Sequence, residues 1–269
     1  MRTGPRIRLV RALLWRSWRE QGAILLIAPL GFALLLLGVT LLALNAPGVL
    51  TPATRAGLEA AAHKYFSGQP GRVGLALAGL LAEGPYLLGI FASFLGATAG
   101  QSSLGNERAR GGLEAIFALP YTPEEILTGF LGASVALTLV SWLILTLASL
   151  GVAIGVLVTI TRAGLHLSGS YLTLALFVPL PLALWANLIS VVLAVVAPRL
   201  AQVRTGSTGN LTQLVAILPA IVVFLVAALD PQINLTQVAA GALGVGIVGS
   251  AVFGTVLGRR LSPEAVLGT

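Results

Sequence analysis

Few side chains in this chain could do chemistry, and their spacing excludes most of what they could do. Cysteine is absent, which removes thiolate metal sites, redox pairs and cysteine nucleophiles. The only histidines, His63 and His166, lie far apart, and neither has a second ligand at metal spacing. Gly244-Val245-Gly246-Ile247-Val248-Gly249 spells G-x-G-x-x-G, but it sits inside an apolar run with no strand before it, so no dinucleotide turn is expected there. The single lysine, Lys64, follows His63 and no glycine-rich loop, so a phosphate-binding loop for ATP is missing. Paired aspartates, a Ser–His pair and H-E-x-x-H are missing as well. The sequence predicts no enzymatic chemistry and no cofactor in this chain.

One stretch has interaction chemistry. It reads Glu107-Arg108-Ala109-Arg110-Gly111-Gly112-Leu113-Glu114-Ala115-Ile116-Phe117-Ala118-Leu119-Pro120, then Tyr121-Thr122-Pro123-Glu124-Glu125-Ile126-Leu127-Thr128-Gly129-Phe130. Leu113, Ile116 and Phe117 stand at i, i+3 and i+4, so a short helix gathers them into one apolar knob. Glu107 and Glu114 flank the knob, and Pro120 ends the helix. Pro123 followed by Glu124 and Glu125 suits the start of the next helix, with acids at its positive end. A short helix with a greasy face is shaped to dock into another protein's groove.

The elements that hold this stretch are membrane spans. Hydrophobic residues make up 57% of the 269 positions and charged residues only 9%, against about 25% charged in soluble domains. Six stretches are long enough to cross about 30 Å of hydrocarbon: 23–44, 82–104, 125–158, 170–197, 211–229 and 237–258. The expected fold is all-α, a single transmembrane domain over 1–269, with the loop at 106–122 between the second and third spans. The first span lacks a convincing cleavage site and is read as a true span, not a cleaved signal. Before it, 1–22 reads as an amphipathic interfacial helix. Ile7, Val10, Leu14 and Trp18 share one face, Arg8, Arg16 and Arg19 lie roughly opposite, and Trp15 and Trp18 suit the headgroup layer of the lipid bilayer.

Six spans place both termini on one side. That side carries twelve of the sixteen basic residues: Arg2, Arg6, Arg8, Arg11, Arg16, Arg19, Arg108, Arg110, Arg199, Arg204, Arg259 and Arg260. The opposite side has Arg55, Lys64, Arg72 and Arg162. The bias predicts cytoplasmic termini and explains the net charge of +7 without nucleic acid. Asn210-Leu211-Thr212 and Asn234-Leu235-Thr236 match a glycosylation pattern, but the first is on the cytoplasmic side and the second abuts the membrane. A short helix over 53–66 is expected in the first external loop. Small residues at G-x-x-x-G spacing (Gly96 and Gly100, Gly151 and Gly155, and the series Ala242, Gly246, Ser250, Gly254, Gly258) predict close helix packing, within a subunit or between subunits.

The 107–130 stretch closely resembles the first cytoplasmic loop of type-2 ATP-binding-cassette exporter permeases, whose pattern is E-x-x-x-G-T-L-E-x-L-x-x-x-P followed by x-E-I-L-x-G-K. Glu107, Gly111, Leu113, Glu114, Pro120, Glu125, Ile126, Leu127 and Gly129 match, whereas Gly112 replaces Thr and Phe130 replaces Lys. The resemblance implies a permease subunit in the bacterial plasma membrane, paired with itself or a related permease. A separate cytoplasmic ATPase subunit would bind the ATP and Mg. It also implies docking of the ATPase at Glu107, Leu113, Glu114, Ile116 and Phe117, with Arg199 and Arg204 as a lesser contact. The short 230–236 loop favours a drug, antibiotic or lipid as cargo over polysaccharide. A pathway between subunits is expected to be lined from Thr40, Ser141, Trp142, Asn187 and Gln213, polar or amphipathic groups within spans. Glu83, beside the Gly84-Pro85 break, is either an external gate or a structural cap. The residues alone also leave open a secondary transporter or channel, or a non-transporting subunit of a membrane complex.

Overall fold

The computed structural model describes residues 5–45, 84–105, 107, 111–161, 175–196 and 211–229, with single positions at 51, 52, 56, 59, 237, 240, 241, 243, 244, 246, 248 and 249. Among these residues every regular element is helical. Six helices are named here: α1 (Pro5–Asn45), α2 (Gly84–Gly100), α3 (Gly112–Phe117), α4 (Pro123–Thr161), α5 (Pro179–Val196) and α6 (Leu211–Leu229). A π-turn, Gln101–Gly105, continues α2, and all five of its residues are buried. Ser102 and Ser103 donate there to the Ala99 and Gly100 carbonyls at 2.8 and 2.9 Å, occupying acceptors that the wider turn releases.

Four segments are long and apolar enough to cross a bilayer: Ile7–Gly38, Gly84–Gly105, Glu125–Val152 and Ala175–Ala194. They are compatible with a membrane protein and correspond to the first four spans expected. The fifth expected span coincides with α6, whose apolar part, Thr212–Val226, is shorter. Most of the expected sixth span, 237–258, and of the 53–66 helix lies outside the described residues. Positions described within them are helical.

The N-terminal expectation changes. The interfacial helix at 1–22 and the span at 23–44 form one continuous helix, α1, about 60 Å long at 1.5 Å per residue. The only proline inside it is Pro29, well past the expected boundary. Its N-terminal half is held along α4 instead of standing apart. Leu9 and Leu13 pack over Gly129, where an added Cβ would meet them at 3.1 and 3.2 Å, and Val10 lies by Gly132.

Contacts also give the helix directions. α1 and α4 run parallel, with Leu9 near Gly129 at one end and Leu25 clustered with Leu137 and Leu145 further along. α2 and α5 run parallel, since Gly89 meets Val178 and Leu182 while Gly100 meets Asn187 and Ser190. α6 opposes α2, pairing Gln213 with Thr98 and Ala220 with Tyr86. Leu104 meets Ile126 and Phe130 in one cluster, whereas Leu88 joins Leu145 in another, so α2 and α4 are antiparallel. The N-terminal half of α1, the end of α2, α3 and the start of α4 therefore share one end of the bundle.

Polarity is distributed inside out. Ser93, Ser134, Thr138, Ser141, Asn187 and Ser190 are buried, while Ile27, Leu34, Leu143, Leu147, Leu218 and Leu225 are exposed. That arrangement suits a hydrocarbon surrounding, where leucine gains nothing by turning inward and polar groups need helix neighbours.

Candidate functional site

α3 is built from a tight chain reversal. Gly111 has φ of 71°, a left-handed conformation that favours glycine. At Gly112 a Cβ would collide with Oε2 of Glu107. Glycine in place of the threonine of the resembled pattern thus leaves room for a buried carboxylate. Glu107 is only 4% exposed, and its Oε1 accepts from the Arg16 guanidinium at 2.8 Å. Arg16 also lies 3.6 Å from Glu20, one turn on. The pair ties the loop to α1 by a charge-assisted contact. Oε2 of Glu107 is buried with no hydrogen-bond partner among the described residues.

The apolar knob points inward. Leu113 and Ile116 are buried in a cluster with Leu9, Leu13, Leu104, Ile126, Leu127, Phe130 and Val191, and Phe117 packs against it half-buried. These three were expected to enter a partner's groove. In the structure Leu113 and Ile116 are committed to the chain's own core, with Phe117 half-buried against it, because they share a cluster with Leu9 and Leu13 of α1 and Ile126, Leu127 and Phe130 of α4. The outward side of the loop carries Ala115, Ala118, Leu119 and Pro120, all exposed. A chain turn follows, with Leu119 N–H donating to Ile116 O at 3.1 Å and Tyr121 N–H to Leu119 O at 2.7 Å. α4 then opens on a reciprocal cap. Thr122 N–H donates to Glu125 Oε2 at 3.1 Å, and Glu125 N–H to Thr122 Oγ1 at 3.3 Å. The T-x-x-E spacing was a readable sign of it. Glu114 lies in α3, but its side chain is outside the described residues, as are Arg199, Arg204 and Glu83 in full.

A second polar constellation ties three helices at mid-bundle. Asn187 of α5 is 0% exposed. Its Nδ2 donates to Thr138 Oγ1 at 2.9 Å and to Gly96 O at 3.3 Å, and its Oδ1 accepts from Ser134 Oγ at 3.1 Å. The amide therefore touches α2 and α4, with both N–H groups and one oxygen lone pair engaged. Gly96 and Gly100 make this possible. A Cβ on Gly96 would collide with the Ala183 carbonyl oxygen, and one on Gly100 would sit 2.6 Å from Asn187 O. The expected close-packing role of this glycine pair is realised within one chain. Gly151 and Gly155 differ, with nothing within 4 Å of either Cβ position.

The cargo candidates separate on this frame. Asn187 is wholly buried and spends its amide on bonds to α2 and α4, which is a packing role. Gln213 is half-buried and donates to Thr98 Oγ1 at 3.2 Å, joining α6 to α2. Ser141 is fully buried and Trp142 half-buried, and the Ser141 hydroxyl and Trp142 indole N–H have no hydrogen-bond partner among the described residues. Thr40 lies in α1, with its side chain outside the described residues. Sequence reasoning missed Arg16 as the partner of Glu107, and Ser134 and Thr138 as partners of Asn187. The latter two stand at i, i+4 spacing in an apolar run, the one signal that could have marked them. Among the described residues no group of acidic, histidine or cysteine side chains is arranged to hold a metal.

No family model matches the chain, and no curated protein or solved structure matches it.

Proposed function

We propose that this chain is the membrane-spanning permease subunit of a type-2 ATP-binding-cassette exporter in the bacterial plasma membrane. In this reading it crosses the membrane six times, has cytoplasmic termini and moves a hydrophobic or amphipathic cargo such as a drug, antibiotic or lipid. ATP and Mg are bound by a separate ATPase subunit, and two permease chains pair. The observation that carries the proposal is the 107–130 loop. Its residue pattern resembles the docking loop of that family, and it forms a short helix, α3, braced on the bundle. Glu107 links α3's loop to α1 through Arg16, and Leu113 and Ile116 link it to α4 through Ile126 and Phe130. Force applied to α3 from outside would reach two long helices through packed, charge-paired contacts.

The docking surface in this proposal is the outward side of the loop, centred on Leu119, which is 44% exposed. Leu119→Asp removes that apolar contact and leaves the inner knob intact. Purification from native membranes should recover an ATPase subunit with the wild-type chain, and Leu119→Asp should cut that recovery about tenfold or more, as expected for a central interface anchor. Wild-type chain that brings down no ATPase would refute the permease reading. Unchanged recovery with Leu119→Asp would refute this docking face.

A further inference from the structure

A cleft of about 710 Å³ opens sideways between the N-terminal half of α1 and the middle of α4. It falls within the roughly 300–1,000 Å³ usual for small-molecule sites. Its two ends differ in chemistry. Arg8 and Arg11 stand at one end, while Leu14, Trp18, Leu137 and Val140 line the other. Among the described residues no carboxylate pairs with Arg8 or Arg11. Arg16, by contrast, is held by Glu107 and Glu20, and the Arg19 guanidinium sits 5.2 Å from the Trp15 ring. Trp18 is held over Gly22, where a Cβ would lie 3.1 Å from its ring, so the indole rests against its own helix.

We infer that this cleft binds an acidic phospholipid, with its anionic headgroup on Arg8 and Arg11 and one acyl chain along Leu14, Trp18, Leu137 and Val140. The charge pattern favours that occupant. Ten residues of α1 separate Arg8 from Trp18, a rise of about 15 Å, so the cationic end and the greasy end are spaced as in one lipid standing along the helix. Trp15 follows the arginines on the cleft wall and Trp18 opens its apolar end, the level at which indoles meet headgroups. A neutral helix from another protein would leave both guanidiniums without an anion. The inference stands on the membrane character of the helices and is independent of any ATPase partner.

Indole fluorescence of the full chain in detergent micelles, titrated with phosphatidylglycerol brominated on its acyl chains, tests it. The same titration with brominated phosphatidylcholine measures headgroup preference. Two arginines at a membrane surface give phosphatidylglycerol an advantage of about thirtyfold in apparent affinity. Arg8→Gln/Arg11→Gln should reduce that advantage to threefold or less while leaving quenching by phosphatidylcholine in place. Ala12→Phe fills an exposed wall of the cleft and keeps both charges; it should weaken quenching by both lipids. Equal quenching of the wild type by the two lipids overturns the inference, as does a preference that survives the double arginine substitution. Full affinity in Ala12→Phe overturns it too. Displacement by soluble glycerol phosphate would point to a free phosphate. Quenching that appears only after a dimer is dissociated would make a second copy the occupant.

Discussion

Replacing Asn187 by leucine tests whether the mid-bundle amide holds the helices together. The substitution roughly preserves bulk and removes three interhelical hydrogen bonds, to Thr138, Ser134 and the Gly96 carbonyl. It orphans neither hydroxyl, because the one Ser134 proton, shared between Asn187 Oδ1 and Leu131 O, passes wholly to Leu131 O at 3.0 Å, and Thr138 donates to Ser134 O at 2.9 Å. Interhelical hydrogen bonds in membrane bundles average about 0.6 kcal/mol and reach about 1.7. Three of them put the expected loss near 2 kcal/mol, with about 5 as a ceiling. Gln213→Leu is the internal scale, since it removes one bond to Thr98 and should lose about 0.6 kcal/mol. Reversible unfolding in mixed detergent micelles, followed by circular dichroism, measures both. A loss below about 0.5 kcal/mol for Asn187→Leu, or a loss no larger than that of Gln213→Leu, would refute the assignment of this amide to packing.

Gly96→Ala should lower the thermal unfolding midpoint clearly, because its Cβ meets the Ala183 backbone and overpacking of this kind costs about 1–3 kcal/mol. Gly151→Ala, into open space, should leave the midpoint unchanged or raise it by the helix-propensity gain of up to about 1 kcal/mol. Glu107→Gln should destabilise the chain by about 1.5 kcal/mol, near the low end for hydrogen bonds to charged groups because Arg16 is half-exposed. A double-mutant cycle with Arg16→Gln should return most of that loss as coupling between the two residues.

Legibility in the sequence was uneven, for reasons visible in particular residues. The extents of α2, α4 and α6 follow apolar runs that water cannot solvate, so they lie within a few residues of the expected spans, and α5 falls inside its own, starting nine residues later. The division of α1 at residue 22 was misjudged, because amphipathicity marks a change of surroundings and not a break in the helix. The short helix at 112–117 was readable from its i, i+3, i+4 spacing and from Pro120. Which way its knob points was not readable. Spacing says that Leu113, Ile116 and Phe117 share a face, but a face can turn toward a partner or toward home. The outcome depends on the apolar residues that α1 and α4 bring to the same cluster.

By itself, then, the sequence determined the helical, membrane-compatible character of the chain, the approximate positions of its four long apolar helices and that of the short helix at 112–117. Each follows from local quantities: apolar run length, the period of 3.6 residues and the conformational limits of proline. The tertiary structure alone decided the roles of individual polar residues. Glu107 met Arg16 from the far end of the sequence, and Asn187 met Ser134, Thr138 and Gly96 across three helices. A polar side chain in a greasy span has the same local signature whether it lines a path or ties a knot. Only the neighbours supplied by other helices distinguish the two, because the cost of burial is relieved by a partner that local sequence does not contain.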